Sequence, residues 1–371
     1  MRTEREVVIA AVASGRHLHR AREVHLADPS GASARSWAPS LTSAPVPKWT
    51  SATVPSRGEV TVCSIFMASR MMSGSPFFTV APGSTITAMT TSRSVLIAGH
   101  VTLDRHGTGV VPGGAVTYCG LAYAGLGARV RIVSAAGPEF PRGVLGTAEV
   151  SFEPASRTTT FENAYGVDGH RSQRVLAAAP PLEAARIPSA WCEADLLHLA
   201  PILGEVDLAA FRRAVRARFS GLGVQGWVRR LEPEGDVSQP RWDPAPEELA
   251  GVDAAVLGED DVPGQGDLVG RLVRHIPVVA FTHGPRGCEV IARGRTWRVG
   301  IHPAREVDPT GAGDVFSAAF FLALAGGAEP PDAARLGAAA ASICVEGVGP
   351  TALARIGEAR ARAAVVPVAG E

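Results

Sequence analysis

From residue 94 onward, apolar and polar positions alternate between two periodicities, and each stretch predicts an element. Residues 94–98 are a continuous apolar run ending at Gly99, the pattern of a strand buried on both faces. Residues 114–127 are small and apolar at helical spacing, and 130–134 read as the next strand. Residues 158–165 and 174–178 predict paired strands about a turn at 166–169. A buried strand at 196–199 precedes a Pro-Ile-Leu-Gly loop and an amphipathic helix over 207–219. Strands over 223–228, 254–257 and 277–282 follow, with a hairpin of 288–292 and 296–299 across 293–295. Helices over 313–325 and 332–345 close the run. Strands alternating with helices imply an α/β fold with a mainly parallel sheet covered on both faces. Ligands of such sheets bind at the carboxyl ends of the strands.

Before residue 94 this order is missing. Residues 1–93 are rich in Ser, Thr, Ala, Pro and Arg and sustain neither period, so they predict a low-complexity extension that cannot offset its ordering entropy. The folded domain is expected over 94–366. The extension holds ten Lys and Arg against five Asp and Glu. Its Arg and Ser content suits a targeting peptide, but Glu4, Glu6 and Glu23 argue against one. Met89, just before the first strand, is an alternative start of translation.

Composition narrows the function. The formal net charge of the 371 residues is zero, so nothing calls for nucleic acid or an anionic membrane as partner. No apolar stretch reaches the roughly 18 residues of a spanning helix. Five cysteines are scattered without a Cys-x-x-Cys pair, which predicts neither a disulfide framework nor a zinc site, and a reducing cytoplasm as the location.

The strongest chemical signal is Asp308-Pro309-Thr310-Gly311-Ala312-Gly313-Asp314, followed at once by an apolar helical run. First-turn amides of a helix lack internal partners and can bind an anion, here through Gly311, Ala312 and Gly313. Asp314 would repel a phosphate there unless it has another task, and taking a proton from an attacking hydroxyl is such a task. The helix start favours its charged form, making it a weak base. A plain reading also exists: an aspartate capping the helix and two glycines in an ordinary turn.

The run 308–321, with its Asp-Pro-Thr lead, Gly-Ala-Gly-Asp core and small Ser317, Ala318 and Ala319, resembles the C-terminal signature of the PfkB/ribokinase family of carbohydrate kinases. The resemblance spans about 94–350 and implies a ribokinase-like three-layer α/β/α fold. It implies an ATP-dependent kinase acting on a hydroxyl of a small sugar or polyol, with Mg²⁺ on the phosphates. Gly99-His100-Val101-Thr102-Leu103-Asp104 resembles the Gly-x-x-x-x-Asp whose aspartate binds substrate hydroxyls. Gly113 and Gly114 resemble the Gly-Gly pair that lets backbone approach a sugar. Thr282, Gly284 and Gly287 resemble the Thr-x-Gly-x-x-Gly that holds nucleotide phosphates, and the small residues around Ala339 would face an adenine ring. Asp308 stands where some relatives bind a monovalent cation such as K⁺. Each signal has a plainer reading: a loop aspartate, a turn, a strand-turn-strand, a helix packed on its neighbour.

Three departures bear on the substrate. Tyr118 stands where ribokinase-like members carry an asparagine, and the Gly-Gly-Ala start is closer to inositol kinases and related bacterial proteins. Gly258 and Asp261 replace the Asn and Glu of an Asn-x-x-Glu that organises Mg²⁺ through water, leaving Asp261 an outer-shell role. Eight residues separate Asp104 from Gly113, where ribokinase-type enzymes insert lid strands that often pair between subunits. A modest loop, a reduced lid and a monomer or weak dimer are therefore expected, with Asn163 and its strand supplying part of the lid over the substrate. A nucleoside kinase of the same family and a non-catalytic sugar-binding regulator are the competing functions.

Overall fold

The computed structural model describes residues 92–106, 109–165, 171–263 and 265–370. The extension over 1–91, Met89 included, and the whole predicted turn at 166–169 lie outside the described residues, as does the side chain of Asn163.

Ser94–Ala98 explains the architecture best. Val95, Leu96, Ile97 and Ala98 are all fully buried, Val95 and Ile97 in one hydrophobic core and Leu96 and Ala98 in another. A strand with successive side chains in two cores is covered on both faces, so the continuous apolar run is what its position demands. The sheet around it has ten strands, in the spatial order Val368–Gly370, Arg295–Val299, Cys288–Ala292, Val278–Thr282, Ala254–Gly258, Arg216–Gly223, Glu193–Leu199, Ser94–Ala98, Arg129–Ala136, Glu149–Pro154. Neighbours from Val278–Thr282 onward pair parallel, and the three strands before it pair antiparallel. The helices Ala115–Gly125, Ala312–Ala325 and Pro330–Cys344 contribute to one core, and Leu208–Ala214 and Leu268–Val273 to the other. Three layers result, as the alternating pattern implied.

The helix predicted over 207–219 stops early. Asp207 caps it, its carboxylate accepting from the Ala210 amide at 2.7 Å, but the helix runs only Leu208–Ala214. Val215 is extended and leads into Arg216–Gly223, inserted between Glu193–Leu199 and Ala254–Gly258. Exposed Arg216 and Arg218 alternate with half-buried Ala217 and Phe219, a period of two that short windows confuse with a helix face. The strand predicted over 223–228 is accordingly displaced, and Val224–Val228 is a short 3₁₀ turn.

A second sheet of four strands, ordered Gly109–Gly113, Thr102–His106, Thr159–Tyr165, Arg171–Ala177, stands apart from the first. The modest loop expected between Asp104 and Gly113 is thus a hairpin, whose strands pair Thr102 with Gly113 and Asp104 with Val111. Thr102–His106 joins Thr159–Tyr165 in parallel, and Arg171–Ala177 completes this sheet, which stands where the lid is expected.

One buried polar group tests the core. His198, 1% exposed, is held edge-on by Tyr123 and Phe321, with ring centroids 5.9 and 4.8 Å away. Its Nδ1 meets the Tyr123 hydroxyl at 3.2 Å, while Nε2 has no hydrogen-bond partner. Burial pushes its pKa down to about 3, so the folded protein keeps the ring neutral. The unfolded chain protonates this histidine below about pH 6.5 and the folded one does not, so the contribution is complete above that pH and is lost as pH falls toward 3. Urea unfolding should lose about 1.4 kcal/mol per pH unit from this group between pH 6 and 4. In His198→Gln the pH slope should flatten by that amount; an unchanged slope would show that the ring titrates alike in both states.

Candidate active site

After Ser94–Ala98 the chain leaves the main sheet and enters the lid, and buried hydrogen bonds fix this bend. The Glu205 carboxylate accepts from the amides of His100, Ile202 and Leu203 at 2.8 to 3.0 Å. His100 Nε2 lies 3.0 Å from the Pro180 carbonyl, which can only accept, so that nitrogen carries the proton. Its Nδ1 then accepts from the Thr159 hydroxyl, whose oxygen accepts from the Ala179 amide. Neither Glu205 nor His100 stands out as a functional residue in the sequence, because the bonds that His100 makes to Thr159, Pro180 and Glu205 span 59 to 105 positions.

Asp104 follows on the first lid strand, 6% exposed, with the Thr102 hydroxyl donating to its Oδ1 at 3.1 Å. A Cβ on Gly113 would lie 2.4 Å from Asp104 Oδ2, so only glycine lets backbone and carboxylate approach so closely. Gly114, next in the chain, has φ +88°, and its carbonyl takes the amides of Thr117 and Tyr118 to open the helix Ala115–Gly125. Asp104, Gly113 and Gly114 therefore meet at the carboxyl end of the first strand, where an acceptor hydroxyl would find a carboxylate beside unencumbered backbone.

The 308–314 segment folds as a tight turn into the helix Ala312–Ala325, with Gly311 as N-cap at φ +81° and Asp314 in the first turn. The Ala312 amide donates to the Pro309 carbonyl at 3.2 Å, so of the three amides expected to hold an anion this one is engaged in the turn. Helix bonds cannot reach the amides of Gly311 and Gly313, because the residues four before them precede the helix. Asp308 braces the turn: Oδ1 accepts from the Thr310 amide at 3.0 Å and Oδ2 from the Gly349 amide at 2.9 Å. Two buried thiols grip it from below, Cys344 donating to the Thr310 carbonyl at 3.5 Å and Cys119 to the Asp314 carbonyl at 3.3 Å. Burial pushes both thiols up, and the Asp314 carboxylate adds to the effect, so both remain protonated donors.

Tyr118 joins the two halves. It is 1% exposed, and its ring fills the space beside Gly311, where a Cβ would come within 2.3 Å of it. Burial raises its phenol pKa, and the charges of Cys344, Asp104, Asp308 and Asp314 raise it further. One neutral phenol thus lies in the field of all three candidate carboxylates, and its helix links the Gly113-Gly114 turn to the 308–314 turn.

A second corner forms at the ends of Ala254–Gly258 and Val278–Thr282, where Gly258 pairs with Thr282. Thr282 Oγ1 donates to the Leu257 carbonyl at 3.4 Å, and Gly284 and Gly287 shape the following turn at φ +55° and +88°. Asp261 is engaged there: Oδ1 accepts from Gln225 and from Arg229, a pair in which both side chains are 13% exposed, and Oδ2 accepts from the Gly258 amide. Glu259 takes His283 and Arg286, and these two bonds hold its carboxyl below the usual range. Among the described residues no group of three or more His, Cys, Asp or Glu is placed to hold a metal ion. Ala339, assigned to an adenine ring, is fully buried within Pro330–Cys344 and offers no surface to a ligand. The lack of bulk in that helix has a packing cause, since a Cβ on Gly337 would sit 2.8 Å from the Phe316 ring of the neighbouring helix.

Comparison with known proteins bears on the family and the fold. Residues 254–355 match the model of the pfkB family carbohydrate kinases. Inositol 3-kinase of Arabidopsis thaliana is 27% identical over 288 residues, covering 70% of this chain and 75% of that protein. Cytidine kinase of Thermococcus kodakarensis is 25% identical over 264 residues, covering 66% of this chain and 92% of that protein. Among solved structures, a pyrophosphate-dependent kinase in the ribokinase family, complexed with a pyrophosphate analogue and myo-inositol, superposes with a TM-score of 0.60 at 23% identity. That match covers 70% of this chain and 99% of the other, and it carries the fold.

Proposed function

Because the chain carries a pfkB family carbohydrate kinase domain, we propose that it is an ATP-dependent phosphotransferase acting on a hydroxyl of a small sugar or polyol, with inositols first among the candidates. The observation that supports this most is the packing of Tyr118, whose helix opens at Gly114 next to the contact of Gly113 with Asp104, against Gly311 of the anion turn. In this reading Asp104 and the backbone at Gly113 and Gly114 hold the acceptor, with Asn163 reaching it from the lid. Asp314 takes the proton from the acceptor hydroxyl as that oxygen bonds to the terminal phosphorus of the donor and the bond to the leaving phosphate breaks. The amides of Gly311 and Gly313 stabilise charge on the transferring group, with Ala312 joining if its turn bond opens. A weak base suffices, since the loose transition state of phosphoryl transfer asks mainly for positioning and charge stabilisation.

Thr282, Gly284 and Gly287 are assigned to the donor phosphates. Magnesium, carried with those phosphates, would neutralise their charge. Asp261, bound to Arg229, fits contact through water and not direct ligation. Asp308 fits a brace better than a seat for K⁺, because both its oxygens accept backbone amides. The four cysteines among the described residues are free thiols, which suits a reducing cytoplasm. No described helix is long and apolar enough to cross a membrane. A monomer or weak dimer is the proposed state.

The test is a panel of inositols, ribose, fructose and nucleosides offered with Mg²⁺ and either ATP or pyrophosphate, with products read by phosphorus NMR. Phosphorylated inositol or sugar supports the proposal. A nucleoside monophosphate as main product would favour the nucleoside kinase suggested by the Thermococcus relative. Binding without turnover on every compound would favour a regulator.

A further inference from the structure

Tyr118 has no role in the reaction as outlined, yet it is among the largest side chains that the fold buries completely. It sits in the first turn of Ala115–Gly125, a helix that opens at the Gly113-Gly114 cradle. Its ring lies against Gly311, 193 positions later in the chain, so tightly that a Cβ there would fall 2.3 to 2.4 Å from three ring carbons. Its hydroxyl end points toward Gly349, where a Cβ would lie 4.0 Å from it, and Gly349 donates to Asp308. The next residue, Cys119, donates to the Asp314 carbonyl. Consecutive residues of one helix thus touch the anion turn at its N-cap and at the candidate base, while the start of the same helix forms the acceptor cradle.

We propose that Tyr118 is a positioning residue: its ring props Gly311 in the left-handed N-cap conformation and so aims the first-turn amides and Asp314 at the acceptor held by Asp104. The consequence for catalysis rests on the kinase reading; the prop itself does not. Gly311 at φ +81° has no side-chain cap; Asp308 and the two thiols hold the residues on either side of it, and the ring is what packs against Gly311 itself. An aromatic ring is rigid and wide enough to fill this space, whereas a flexible aliphatic chain of similar burial would let the turn relax.

Tyr118→Leu removes the ring and keeps an apolar, buried side chain; Tyr118→Phe keeps the ring and removes only the hydroxyl. Hydrogen exchange of a peptide spanning 308–316 in the full chain should accelerate about tenfold in Tyr118→Leu and return close to the wild-type rate in Tyr118→Phe. Turnover per folded molecule should fall about a hundredfold in the leucine variant, with the acceptor KM and donor Kd moving far less, and phenylalanine should restore most of it. Exchange in Tyr118→Leu equal to wild type would overturn the proposal, as would equal acceleration in both variants. A change confined to the acceptor KM would also overturn it, because the residue would then be reading substrate. Exchange needs no substrate, so a wild type that phosphorylates nothing on the panel would sink the kinase reading while the exchange data still decide this one.

Discussion

Asp314→Asn should abolish phosphoryl transfer, lowering kcat by about a thousandfold while donor affinity stays within a few fold. Asparagine has nearly the same shape, so the turn, the helix start and the contact of Cys119 with the backbone carbonyl at 314 are kept. What is lost is the acceptor for the hydroxyl proton, and general bases are typically worth 10² to 10⁴ in rate. Two secondary effects are smaller. Loss of a carboxylate from the first turn costs about 0.3 to 1 kcal/mol of helix stability. Loss of the same charge beside the phosphates removes a repulsion, which would tighten donor binding. Calorimetric titration with ADP together with steady-state rates separates these terms. A variant that turns over within tenfold of wild type would remove Asp314 from the role of base and leave phosphate positioning as the main contribution of the segment.

The segment carrying that prediction was readable from sequence because its chemistry is local. Gly311, Asp314 and the apolar helix behind them lie within one turn of each other, so spacing alone indicates a helix start with open amides. The first strand was readable for a similar reason, since burial on both faces leaves a continuous apolar run. Arg216–Gly223 was not, because its exposed arginines and half-buried partners fit a helix face as well as a strand, and only its neighbours in the sheet decide. The site shows the same division. Asp104 and Gly113 are each marked by their motifs, but their contact depends on a hairpin where the short interval suggests only a modest loop. Asp308 reaches Gly349 across 41 positions, and Tyr118 reaches Gly311 across the whole fold. Ala339 illustrates the converse: a run of small residues records a close neighbour, and nothing in the run says whether that neighbour is a ligand or protein, as the Phe316 ring is beside Gly337.

Gly311→Ala should be nearly as damaging as loss of the base, and its two causes can be separated. At φ +81° an alanine pays the left-handed penalty, about 1 to 2 kcal/mol. That alone is worth roughly five- to thirtyfold in the population of the native turn. The added methyl would also fall 2.3 Å from the Tyr118 ring, and this ring is 1% exposed, with no open space into which to retreat. The steric cost must therefore be met by moving the turn, and a displacement near 1 Å at a reacting group costs about a hundredfold in rate. The expected result is a fall in kcat of at least about a hundredfold with a lowered thermal midpoint. Combining it with Tyr118→Leu removes the overlap and leaves the backbone strain, so the double variant should recover part of the midpoint. Turnover should stay low, because the ring that aims the turn is gone. Recovery of both would mean that Gly311 is needed only to make room for Tyr118, and that the direction of its amides is set elsewhere.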